Sequence, residues 1–180
     1  MPFRNFGLDA NILKAVQEAG YTEPTPIQTA AIPQILAGHD LIGIAQTGTG
    51  KTAAFVLPIL TKLAPMSRDS GPRSIRALIV APTRELVVQI DENVRAYGKH
   101  LPLRAATIYG GVGERAQIEA LRSGVDLIVA TPGRLLDLMG RRFCDFSRLN
   151  FLVLDEAERM LDMGFLPDIR RIVRALPQKR

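Results

Sequence analysis

Leu41-Ile42-Gly43-Ile44-Ala45-Gln46-Thr47-Gly48-Thr49-Gly50-Lys51-Thr52 is the stretch on which the fold turns. The apolar run 41–44 reads as a strand, a glycine-rich turn follows, and Gly-Lys-Thr leads into the helical pattern Thr52-Ala53-Ala54-Phe55-Val56-Leu57. Strand, glycine-rich turn and helix in that order form the context of a phosphate-binding loop. Glycines let backbone N–H groups converge on a polyphosphate at a helix N-terminus, where unpaired donors and the helix dipole favour anions. Lys51 adds a mobile cation for the β- and γ-phosphates, and the Thr52 hydroxyl is a ligand for Mg²⁺. The usual pattern opens with glycine; here Ala45 holds that place.

The 180 residues suffice for one domain with a real core, and the 47% hydrophobic content is that of a globular protein. No apolar run approaches the ~20 residues of a membrane helix; the longest, 53–60, already contains Pro58. Met1-Pro2-Phe3-Arg4-Asn5 lacks the apolar centre of a signal peptide, so a cytoplasmic protein without a membrane partner is expected. Cys144 is the only cysteine, which excludes an internal disulfide and suits a reducing compartment. The net charge of +5 fits a polyanionic partner and equally a solvated helical surface.

Outward from the loop, Leu8, Ile12, Leu13, Val16 and Ala19 recur at helical spacing before Gly20. Thr25 suits an N-cap with Pro26 at the first helical position, Pro33 is expected to divide that helix, and Gly38 ends it. By residue pattern alone, Gln28 is a solvated amide. Residues 64–74 read as a surface loop. Four further strands are expected at 77–81, 105–109, 126–130 and 151–154, alternating with helices. Their continuous apolar character points to an α/β, doubly wound, mostly parallel sheet with helices on both faces. The strands end in Pro82-Thr83-Arg84-Glu85-Leu86, Gly110-Gly111, Thr131-Pro132-Gly133-Arg134 and Asp155-Glu156-Ala157-Glu158. Open α/β sheets bind ligands at the carboxyl ends of their strands, so these clusters together mark one functional edge. Asp155-Glu156 has the form of a Walker B pair, an aspartate for Mg²⁺ beside a glutamate that orients water. His39 and His100 lack the spacing of a metal site, and Cys144 reads as a small apolar filler. Arg170, Arg171, Arg174, Lys179 and Arg180 read as the solvated face of a helix whose buried face carries Ile169, Ile172, Val173 and Leu176.

Over its whole length the chain resembles the first RecA-like domain of the DEAD-box RNA helicases. Phe3, seventeen positions before Gly20, and Pro24-Thr25-Pro26-Ile27-Gln28 look like that family's Q motif. The resemblance implies Phe3 stacking on adenine and Gln28 bonding its edge, with Tyr21 where the family often has phenylalanine. It assigns Gln46, Thr47, Gly48, Thr49, Gly50, Lys51 and Thr52 to the phosphates of ATP, and Thr52 with Asp155 to Mg²⁺. Lys51, Asp155 and Glu156 are then the catalytic set. Pro82, Thr83, Arg84, Gly110, Gly111, Thr131, Gly133 and Arg134 match the segments that hold the RNA backbone. Arginines and close backbone N–H groups suit phosphates without reading sequence; the rival role for Arg84 is an ion pair with Glu85. The stretches 3–8 and 155–165 look most like the bacterial RhlE-type branch.

Two departures accompany the resemblance. Glu158 stands where the family has aspartate, one methylene longer (~1.5 Å), and is expected to weaken coupling of hydrolysis to unwinding. The chain also stops before the family's Ser-Ala-Thr strand, which would leave a gap in the sheet beside the phosphate-loop strand. The expected organisation is a Q-motif helical region over 1–38 and a RecA-like ATP-binding domain over 39–180, with a second RecA-like domain as partner elsewhere. The function expected is RNA-dependent ATP hydrolysis driving duplex unwinding. A nucleotide-gated RNA clamp or an unrelated phosphate-loop enzyme are the alternatives. Alone, the chain is expected to be a monomer that binds nucleotide without unwinding RNA.

Overall fold

The structure, a computed structural model, describes residues 2–66 and 72–179. They form two compact units, one made of 2–66 with 92–103 and the other of 72–91 with 104–179. No helix among the described residues is long and apolar enough to cross a membrane.

The first unit is helical. After a 3-10 turn, Phe3–Phe6, come α1 (Ala10–Glu18), α2 (Pro26–Leu36) and α3 (Lys51–Met66), and the unit closes on the last turns of α4 (Arg84–Gly98). Asp9 caps α1 by accepting from the Asn11 N–H at 2.8 Å, and the helix buries Ile12, Ala15 and Val16. Thr25 stands at the N-cap of α2 with Pro26 at its first position, and the Gln28 side chain accepts from the Thr25 N–H. Three expectations fail here. Pro33 does not divide α2, which continues through it, the Ala37 N–H donating to the Pro33 carbonyl at 3.0 Å. An internal proline removes one backbone bond, and the burial of Ala31 and Ile32 on the same helix holds it together regardless. Likewise α3 runs on through Met66, past the expected start of a loop at 64, because Leu63 and Ala64 are buried; residues 67–71 lie outside the described residues. Finally, 41–44 is not a strand. Ile42 is 90% and Ile44 86% exposed. A strand exists only through its ladder partners, and no described residue pairs with this segment.

Glu18 gathers Lys99 and His100 within the same unit, the His100 Nε2 lying 2.8 Å from its carboxylate. Hydrogen bonds from Lys99 and then His100 pull the Glu18 carboxyl down to about 2. The native carboxyl is thus the stronger acid, so its contribution is fully present above the usual carboxylate range of about 4.3 and is lost as pH falls towards about 2. Glu18→Gln is expected to flatten the acid limb of melting temperature against pH, read by thermal circular dichroism.

The second unit holds the sheet: β1 (Ala77–Val80), the first turns of α4, β2 (Ala105–Ile108), α5 (Arg115–Ser123), β3 (Leu127–Ala130), α6 (Pro132–Gly140), β4 (Phe151–Leu154), α7 (Ala157–Asp162) and α8 (Leu166–Ala175). The strands lie in the order β2-β3-β1-β4, all parallel, with Leu78 paired to Ile128 on one side and Leu152 on the other. Central β1 and β3 are wholly buried, which is why their sequences are unbroken apolar runs, whereas edge strand β4 is half-buried. Leu78, Val80, Ile128 and Ala130 meet Leu135 and Leu138 of α6 and Ile172 of α8 in one core. Cys144 packs against that core, and burial pushes its thiol up to about 11, in keeping with a filler rather than a nucleophile. Parallel strands all finish on one edge, so the clusters following β1, β2, β3 and β4 share it.

Candidate functional site

The phosphate-loop residues belong to the first unit. Gly48 (φ 80°) and Gly50 (φ 85°) both occupy the left-handed region, where glycine alone is unstrained. Thr49 Oγ1 donates to the Gln46 carbonyl at 2.6 Å, closing the turn before Lys51 starts α3. No described residue lies within 4 Å of where a Gly48 Cβ would stand, whereas a Cβ on Gly50 would fall 2.4 Å from Gln28 Nε2.

That contact reverses the reading of Gln28 as a solvated amide. Only 2% of Gln28 is exposed. Its Oε1 accepts from the Thr25 N–H at 3.0 Å, and its Nε2 donates to the Gly50 carbonyl at 3.2 Å. Gln28, in the first turn of α2, therefore also grips the loop twenty-two positions later. The two aromatics of the segment differ. Phe3 is 5% exposed and packs edge-on to Phe6, ring centres 6.1 Å apart. Tyr21 is 44% exposed, and its hydroxyl accepts from Tyr97 at 3.3 Å. Burial, and then the bond to Tyr21, push the Tyr97 phenol above the usual tyrosine range.

The second unit brings together three of the strand-end segments. Thr83 Oγ1 accepts from the Leu86 N–H at 3.3 Å, capping α4. The Arg84 guanidinium lies 5.1 Å over the Tyr109 ring rather than pairing with Glu85. Gly110 and Gly111 follow Tyr109, and Gly111 has φ 79°. Thr131 and Pro132 start α6, from which Arg134 Nη2 donates to the Val112 carbonyl at 3.4 Å. Pro82 stands in the bend before α4, and Gly133 lies in the first turn of α6. Gln117 was missed by motif reading. It is 8% exposed, and its Nε2 donates to the Tyr109 carbonyl at 2.9 Å. The available signal was its position one helical turn before Leu121, on the buried face of α5.

After β4 the Asp155 N–H continues the ladder to the Val80 carbonyl at 2.9 Å, and Asp155 Oδ1 accepts from the Glu156 N–H at 3.1 Å. Glu156 has φ 49° and ψ 48°, a left-handed conformation that costs a non-glycine residue about 1–2 kcal/mol. Strain of this kind concentrates at working sites. Glu156 Oε2 accepts from Arg159 at 3.1 Å, while Glu158 is exposed on the first turn of α7. His39 bonds Gln34 and His100 bonds Glu18; among the described residues no cluster of histidine, cysteine and carboxylates could hold a metal by itself.

A family model, the DEAD/DEAH box helicase, matches residues 25–180. The chain belongs to this family. It is 49% identical over 174 residues to DEAD-box ATP-dependent RNA helicase 30 of Arabidopsis thaliana, covering 95% of this chain and 29% of that protein. Against DEAD-box ATP-dependent RNA helicase CshA of Streptococcus pneumoniae it is 45% identical over 180 residues, all of this chain and 33% of the relative. The probable ATP-dependent RNA helicase DDX23 of Homo sapiens is 44% identical over 182 residues, 97% of this chain and 22% of the relative. The chain thus spans a third or less of these relatives. The parallel α/β sheet of the second unit agrees with the RecA-like domain of a DEAD-box helicase.

Proposed function

We propose that this DEAD-box chain is the ATP-binding domain of an RNA-dependent ATPase that hydrolyses ATP to ADP and phosphate and so drives local separation of RNA strands. The observation that carries the reading is the glycine loop at the start of α3, with Gly48 and Gly50 left-handed and Gln28 locked onto Gly50. Gln46 to Thr52 would cradle the polyphosphate, with Lys51 the cation on its outer oxygens. Oxygen donors suit a hard cation, and we assign Thr52 and Asp155 to Mg²⁺, which when bound neutralises phosphate charge. Glu156 is the residue we assign to orienting the attacking water.

For the adenine, Gln28 reads the edge. Because Phe3 is buried against Phe6 while 44% of Tyr21 is exposed, Tyr21 is the better ring for stacking, with Phe3 supporting the segment from within. Pro82, Thr83, Arg84, Gly110, Gly111, Thr131, Gly133 and Arg134 are assigned to the RNA backbone, and a second RecA-like domain is assigned the other half of the cleft. The stretches 3–8 and 155–165 favour the RhlE-type branch. The relatives' names support ATP and RNA as substrates, being ATP-dependent RNA helicases.

The test is ATP hydrolysis by the whole polypeptide with and without single-stranded RNA. Hydrolysis is expected to rise with RNA, and Glu156→Gln to lower kcat at least about a hundredfold with ADP affinity kept. Hydrolysis indifferent to RNA would defeat the reading. Glu158 is the residue assigned to coupling. Glu158→Asp is expected to raise strand separation per ATP consumed, and an unchanged ratio would remove it from that role.

A further inference from the structure

We infer that Gln117 is a positioning residue for the RNA-facing turn Tyr109–Val112, an inference that rests on the RNA reading above and deepens it. Three side chains hold this turn. Gln117 Nε2 fixes the Tyr109 carbonyl at 2.9 Å, Arg134 Nη2 reaches the Val112 carbonyl at 3.4 Å, and the Arg84 guanidinium lies 5.1 Å over the Tyr109 ring. Between the two gripped carbonyls stand Gly110 and Gly111, both exposed, so the turn fixes the backbone that would meet a phosphate. The turn thereby joins the segments after β1, β2 and β3 into one connected surface. Arg84 and Arg134 are themselves RNA-facing. Gln117, on α5 and 8% exposed, acts on the turn through its bond to the Tyr109 carbonyl.

Stability alone does not account for an amide here. The Gln117 Oε1 is buried without a hydrogen-bond partner among the described residues, and an unpaired buried oxygen is a liability that leucine or methionine at the same place would lack. What the amide supplies, and an aliphatic chain cannot, is the N–H directed at the Tyr109 carbonyl. Preorganised backbone donors bind an anion without reordering at the moment of binding, so loss of this bond acts on RNA affinity first.

The test uses the whole polypeptide carrying this chain, with poly(U) as the RNA, and two variants. Gln117→Met keeps the length and loses the donor. Gln117→Glu keeps the shape and sets an acceptor against the Tyr109 carbonyl. Both are expected to raise the KM for poly(U) in ATP hydrolysis about fivefold or more, Glu more than Met. kcat at saturating poly(U) and the Kd for ADP·Mg²⁺ should stay within about twofold, and the melting temperature of Gln117→Met should not fall. A KM within about twofold of the unmodified protein for both variants overturns the inference. So does a parallel loss of ADP affinity and melting temperature, which would make Gln117 a structural residue only. An unmodified protein that poly(U) does not stimulate overturns the functional reading, and this inference with it.

Discussion

Replacing Gly50 with alanine is expected to weaken ADP·Mg²⁺ binding at least about a hundredfold. Two effects combine. Gly50 sits at φ 85°, which an alanine adopts at a penalty of about 1–2 kcal/mol. The new Cβ would also stand 2.4 Å from Gln28 Nε2, inside any van der Waals contact. Gln28 cannot swing away freely, because its Oε1 holds the Thr25 N–H and its Nε2 the Gly50 carbonyl. Either the loop moves and the backbone donors no longer converge, or Gln28 leaves the position from which it would meet the adenine. A total of about 3 kcal/mol corresponds to the hundredfold loss. Gly43→Ala is the control: among the described residues its Cβ would meet only Ile27 Cδ1, at 3.8 Å, and affinity should be unchanged. Calorimetric titration measures both. Gly50→Ala binding within about threefold of the unmodified chain would show that the loop tolerates the displacement.

Asp126→Ala is expected to destabilise the chain by about 3 kcal/mol, a large part of a typical domain's ~5–15 kcal/mol. The Asp126 carboxylate is 8% exposed and accepts from Arg73 Nη1 at 2.5 Å and from the Arg104 N–H at 2.8 Å. Its backbone is tied as well, the N–H to the Arg104 carbonyl and the carbonyl to the Arg76 N–H, each at 2.8 Å. One carboxylate thus secures the entry to β1, β2 and β3 together. Removing it leaves a guanidinium with 22% of its side chain exposed and a backbone donor, both without an acceptor. That penalty is what makes breaking a buried pair costly. Asp126→Asn retains an acceptor and should lose about half as much. Urea unfolding followed by circular dichroism measures the difference. A loss below about 1 kcal/mol for alanine would mean that Arg73 and Arg104 find solvent instead.

Much of this was legible beforehand because it is local. The apolar runs of β1 and β3 announce strands buried on both faces, and Thr25-Pro26 announces a helix start whatever surrounds it. The same local logic failed where a distant partner decides. Residues 41–44 have the composition of a strand, yet Ile42 and Ile44 remain exposed because no described residue pairs with them. Gln28 reads as solvent-facing until Gly50 closes over it. Pro33 reads as a break until the burial of Ile32 outweighs one missing bond. The glycines and the strand-end clusters of the site were visible as motifs. Gln117 was not, since a single glutamine on an amphipathic helix carries no motif and gains meaning only through the Tyr109 carbonyl. The left-handed backbone of Glu156 was equally invisible, there being no glycine to mark it.

The most direct measurement is calorimetric titration of ADP·Mg²⁺ and GDP·Mg²⁺ into the chain and into Gln28→Ala. ADP binding at least about tenfold tighter than GDP, with that preference lost in Gln28→Ala, is the predicted result. Equal affinities for the two nucleotides, or a preference that survives the loss of Gln28, would contradict an adenine site built from Gln28 and the loop it holds.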